Sequence, residues 1–147
     1  MELIIKDMEE QLINFETAKL AREKGFDVDN RENHYFYCFP NGKLDKFKYL
    51  SVGYGDDVLA PTQSLLQKWL REVHNLHVVV KRISYSGYTS LIVDLNIYKQ
   101  NGFIKEEYIN SIGFRGFEVY EDALEKGLQE ALKLIKSGKS SCNGSCS

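Results

Sequence analysis

The residues in this chain whose types and spacing could do chemistry form a short list, and the backbone around each decides what it can do. His74 and His77 have the His-x-x-His spacing that some zinc sites use. They stand where a helical pattern gives way to an extended one, so their imidazoles need not point together. Near a helix C-terminus a protonated His74 would complement the dipole, and a structural role is expected for both. Cys38 lies in the aromatic run His34-Tyr35-Phe36-Tyr37-Cys38, where a thiol without a neighbouring cation behaves as a small hydrophobe. Cys142 and Cys146 fall in a polar run that offers a disulfide or a metal no preorganised frame.

Asp56-Asp57 and Glu106-Glu107 are adjacent pairs, and extended backbone turns adjacent side chains apart. General acid–base work needs two carboxylates in different environments around one substrate, which these pairs do not supply. Gly53-Tyr54-Gly55 lacks the Lys and the following Ser or Thr of a phosphate-binding loop, and there is no Gly-x-Ser-x-Gly elbow. No catalytic residue, metal ligand or cofactor is therefore assigned, and a non-enzymatic role is expected.

What remains is a surface that could bind. Lys81 and Arg82 precede the turn Tyr85-Ser86-Gly87-Tyr88, and Arg115 stands in the glycine-bracketed loop Gly113-Phe114-Arg115-Gly116-Phe117. Cations beside aromatic rings are enriched at protein interfaces and also suit phosphate contact and base stacking. The candidate binding residues are Lys81, Arg82, Tyr85, Tyr88, Phe114, Arg115 and Phe117. For Arg115 the plainer alternative is that its stem covers the two flanking rings.

Several elements must position these residues. Asn14 as a cap, Ala18, Leu20 and Ala21 as helix formers and Gly25 as a left-handed stop predict a first helix over residues 14–25. Two extended runs, residues 34–39 and 47–52, flank Pro40-Asn41-Gly42-Lys43 and predict a hairpin. Thr62 caps a second helix, in which Leu65, Leu66, Trp69, Leu70 and Val73 form one apolar face and Asn75 is the stop. A second hairpin is predicted from residues 76–83 and 89–97, with Leu91, Val93, Leu95 and Ile97 on its buried face and Ser90, Ile92, Asp94 and Asn96 on its wet one. Residues 98–119 read as an irregular connection. Leu124, Gly127, Leu128, Ala131, Leu132 and Ile135 then mark the stripe of a closing helix.

The order α-β-β-α-β-β-α predicts an α+β fold, an antiparallel sheet from two hairpins with helices packed on one face. Residues 1–136 are read as a single domain and 137–147 as a flexible polar tail. The 147 residues carry 19 Lys and Arg against 21 Asp and Glu, and a net charge of −2 provides no global pull toward nucleic acid or anionic lipid. No apolar run has the roughly 18 residues of a membrane span, and residues 1–7 lack the plan of a signal peptide, so a cytoplasmic location is expected. An exposed edge strand leaves pairing into a homodimer open.

The helix PTQSLLQKWLR (residues 61–71) and the closing helix YEDALEKGLQEALKLI (residues 120–135) resemble segments of small proteins encoded by phages and prophages of gut bacteria. The resemblance covers most of residues 14–136 and transfers no catalytic residue. It implies an accessory protein that binds and blocks or sequesters a host defence or regulatory component, either a protein or a small nucleotide signal. The closing hairpin and helix are also similar, in a generic way, to those of antitoxins with a partial ribonuclease-H-like fold. That likeness implies the alternative of a nucleic-acid-binding or antitoxin-like module.

Overall fold

Capping residues set the first helix. In the computed structural model, which describes residues 9–29, 34–38, 42–46, 57–84, 87–96, 105–109 and 116–136, α1 runs Phe15–Glu23. The Asn14 side chain accepts the Thr17 backbone N–H at 2.8 Å, and Gly25 takes the left-handed φ of +92° that ends the turn. Helix α2, Gln63–His74, starts at Thr62, whose hydroxyl accepts from the Leu65 N–H at 3.2 Å, and stops at Asn75 with φ +57°. Helix α3 spans Tyr120–Leu134. Its buried stripe holds Leu124, Gly127, Leu128, Ala131 and Leu132, with Ile135 just beyond the helix end.

Strands β1 (Tyr35–Cys38), β2 (Lys43–Lys46) and β3 (Val58–Ala60) form one antiparallel sheet in the order β2-β1-β3. The partner of β1 begins at Lys43, so the turn is tighter than a strand over 47–52 implies; those residues lie outside the described ones. Gly42, at φ +72°, donates its N–H to the Cys38 carbonyl at 2.7 Å and closes that turn. Strands β4 (Leu76–Ser84), β5 (Gly87–Asp94) and β6 (Lys105–Ile109) form a second antiparallel sheet in chain order. The class is therefore α+β, with the predicted helices and hairpins in order; the hairpins do not join in the single sheet expected but stand in two three-stranded sheets, because each pairs instead with an added strand, β3 or β6.

Both added strands have weak signals. β3 is three residues long and buried throughout, and β6 reads Lys-Glu-Glu-Tyr-Ile without apolar alternation.

Helices α2 and α3 cover the face of the second sheet that carries Leu76, Val78, Ser90 and Ile92, and α1 packs against β3 and α3. The buried face of β5 is thus the one with Ser90 and Ile92, and Leu91 and Val93 are only half-buried on the other. The reason is steric. α3 crosses β5 at Gly127, where only a small residue such as Ser90 leaves room for the helix. On α2, Leu66 and Leu70 are fully buried, Leu65 and Trp69 pack against the core, and Val73 is 58% exposed rather than part of the apolar face. No helix among the described residues is long and apolar enough to cross a membrane.

Candidate functional site

The hairpin of β4 and β5 ends beside the N-terminus of α3, and that junction holds a cation–aromatic contact; a second among the described residues, Lys19 over Phe15 at 4.6 Å, lies on α1. Arg82 and Tyr88 are register partners on adjacent strands, so their side chains leave the sheet on the same face. The Arg82 Nη1 donates to the Tyr88 hydroxyl at 2.9 Å, with the guanidinium carbon 5.0 Å from the ring centroid. Tyr120, the first residue of α3, sets its ring edge-on to Tyr88, with centroids 5.7 Å apart and planes at 83°.

Phe117 is tied to the same place through backbone. Its N–H donates to the Tyr88 carbonyl at 2.8 Å, and its carbonyl accepts the Tyr88 N–H at 2.7 Å. The approach depends on Gly116, which has φ +76°; a Cβ there would stand 2.6 Å from the Tyr88 carbonyl oxygen. Ile83, Val119 and Tyr120 are all exposed around the cluster. Ile83 falls at the register shift between Arg82 and Ser84, where a bulge twists the edge.

Of the residues singled out from sequence, the fold brings Arg82, Tyr88 and Phe117 together. Lys81 pairs with Thr89 one register step away, and strand alternation sends it to the opposite face from Arg82. Tyr85, Phe114 and Arg115 lie outside the described residues. Tyr120, Ile83 and Val119 were not singled out. Tyr120 carried only a weak signal, as an aromatic at the first position of the closing helix.

The cluster offers a cation, phenol rings and apolar rims, which are groups for recognition. The Tyr88 hydroxyl accepts from Arg82 and keeps its own proton to donate, so it can meet an acceptor beside a positive charge. An arginine against an aromatic face is worth about 0.5–1 kcal/mol at such an exposed position.

A second polar cluster was not anticipated from sequence and lies inside. Glu125 is only 8% exposed, and its carboxylate accepts the Asn14 backbone N–H at 2.9 Å, the Thr17 hydroxyl, and Gln63 Nε2 at 2.8 Å. Gln63 also donates to the Glu121 carbonyl at 2.9 Å, and Gln129 to the Thr17 hydroxyl at 2.9 Å. Every member has partners, so the cluster locks α1, α2 and α3 together. Its signal was spacing: Glu125 precedes the buried Leu128 and Leu132 by three and seven residues, which puts it on the core stripe. Nearby, Tyr37 donates to the Ile13 carbonyl at 2.6 Å, and burial, helped by the Glu125 charge, raises its pKa.

The histidines do not converge. The His74 ring packs edge-on against Trp69 with centroids 4.5 Å apart, and burial lowers its pKa. Packing therefore favours neutral imidazole over the charged form expected at a helix end. His77 pairs with Val93 inside the hairpin. Among the described residues no group of three or more His, Cys, Asp or Glu could hold a metal ion. Cys38 is half-buried in β1, and Cys142 and Cys146 lie outside the described residues.

Comparison of the chain with protein-family models, with curated proteins and with solved structures found no match.

Proposed function

We propose that this chain is a small phage or prophage accessory protein that binds and blocks, or sequesters, a host defence or regulatory component in the bacterial cytoplasm, without catalysis. The resemblance of its second and closing helices supplies the biological setting. The Arg82–Tyr88–Tyr120 cluster at the exposed hairpin end carries the reading. Its exposed rim of Ile83 and Val119 favours a protein partner over a small nucleotide, because a protein surface supplies apolar contact around a central charged group. An acidic or phosphorylated side chain on that partner fits the Tyr88 hydroxyl proton and the positive charge beside it.

The alternative, a nucleic-acid-binding or antitoxin-like module, needs neighbouring cations along one track. Lys81 and Arg82 emerge on opposite faces of β4, which removes that support.

Affinity capture from host lysate tests the reading, with wild type, Tyr88→Ala and Arg82→Ala immobilised in parallel. A protein retained by wild type and lost from both variants, while their thermal unfolding midpoints stay near that of wild type, is the expected result. Equal retention on all three would dismiss the hairpin end as the binding surface. Recovery of nucleic acid whose binding falls steeply with salt would restore the alternative.

A further inference from the structure

The first sheet carries an open groove that shares no lining residue with the hairpin end. It has a volume of about 580 Å³, inside the roughly 300–1,000 Å³ range of ligand-holding clefts. Part of its lining is apolar, from Leu12, Leu65, Tyr35 and Leu44. Tyr35 and Leu44 are 39% and 42% exposed, so two large apolar side chains of its wall are open to solvent.

One rim of the groove is acidic. Glu9 and Glu10 line it side by side, and Glu10 is held in place by the Ser64 hydroxyl, which donates to its Oε1 at 2.6 Å. Ser64 belongs to the first turn of α2, so the helix N-terminus already complements Glu10. Glu9 has no cationic partner among the described residues. His34 and the Tyr35 phenol are the other titratable groups on its described wall.

We propose that this groove receives a peptide segment of a partner protein that carries lysine or arginine beside bulky apolar side chains. The apolar walls take the hydrophobic residues and the Glu9–Glu10 rim takes the cation. An apolar lining alone would accept any greasy segment; the acidic rim selects for charge, since an acidic segment would place like charges together. The site is separate from the hairpin end and stands or falls independently of it.

Fluorescence anisotropy with short labelled peptides tests this. The probes are one of alternating leucine and lysine and one of alternating leucine and glutamate. Saturable binding of the lysine peptide, with the glutamate peptide failing to bind, is expected. Glu9→Gln combined with Glu10→Gln should weaken the lysine peptide about five-fold, the scale of exposed ion pairs, and added salt should have the same effect. Leu44→Asp should abolish binding at an unchanged thermal midpoint, and Tyr88→Ala should leave it intact. Equal binding of both peptides, binding insensitive to Leu44→Asp, or no binding would overturn the proposal. So would self-association in sedimentation that Leu44→Asp removes, because the groove's occupant would then be a second copy.

Discussion

Gly127 on α3 and Ser90 on β5 approach so closely that a Cβ on the glycine would lie 2.7 Å from the serine Cβ. The same added atom would meet Val78 Cγ1 at 2.7 Å, and the Ser90 hydroxyl donates to the Ala123 carbonyl one turn earlier. Helix and sheet therefore meet through two small residues. This seating brings Tyr120 down to Tyr88 at the hairpin end.

Replacing Gly127 tests that seating. Helix propensity alone predicts that Gly127→Ala stabilises by about 1 kcal/mol. Overpacking against two core side chains costs about 1–3 kcal/mol, and the steric term is expected to win. Urea denaturation should show a net loss of ~1 kcal/mol; a gain would mean that the helix sits higher than described.

Glu125 is the hub of the interior polar cluster, and its removal strands its donors. Glu125→Ala leaves the Asn14 N–H, the Thr17 hydroxyl and Gln63 Nε2 short of an acceptor and should cost about 3–5 kcal/mol. Glu125→Gln keeps one acceptor oxygen and should cost about 1–3 kcal/mol. The ordering of the two variants in chemical denaturation is the check, and equal losses would contradict the hydrogen-bond account.

Gly116 lets the chain reach Tyr88. With φ +76° and the Tyr88 carbonyl oxygen 2.6 Å from any Cβ, Gly116→Ala must break the paired hydrogen bonds between Phe117 and Tyr88. A loss of about 1–3 kcal/mol is expected. Amide exchange at Tyr88 and Phe117 should quicken more than at Leu128, which lies in the core.

Stability should fall on both sides of neutrality. His74 has its pKa lowered from 6.5 by burial, so the unfolded chain binds the proton more readily and stability drops as pH falls below that value. Burial pushes the Glu130 carboxyl up, but hydrogen bonds and charge from Lys126 and Lys133 outweigh it and hold the pKa below 4.5. Its contribution is present above 4.5 and lost as pH falls through the folded value. Tyr37 is raised above 10.0, so its contribution is present below 10.0 and lost as pH rises through the folded value. His74→Gln should flatten the upper part of the acid limb and Tyr37→Phe the alkaline limb, measured as denaturation midpoint against pH. Unchanged slopes would refute the assignments.

The three helices were legible because each carries local punctuation: Asn14 and Gly25, Thr62 and Asn75, and the stripe from Leu124 to Ile135. Lys81 misled as a companion of Arg82 because sequence adjacency is not surface adjacency on a strand. Glu125 went unread because its acceptor role depends on donors from Asn14, Thr17 and Gln63, more than 60 residues away in each case.

By itself, then, the sequence determined the α+β class, the order of the three helices and two hairpins, the ends of the first two helices and the aromatic and basic residues of the second hairpin. These follow from capping, turn chemistry and periodicity, which act within a few residues. Only the tertiary structure decided that Ser90 and Ile92 rather than Leu91 and Val93 face the core, that β3 and β6 complete two sheets, and that Tyr120 meets Tyr88. The added strands depend on partners far along the chain, and the choice of core face and the Tyr120–Tyr88 contact depend on how closely α3 can approach β5, a distance set by Gly127 and Ser90 together and by neither one in its own segment.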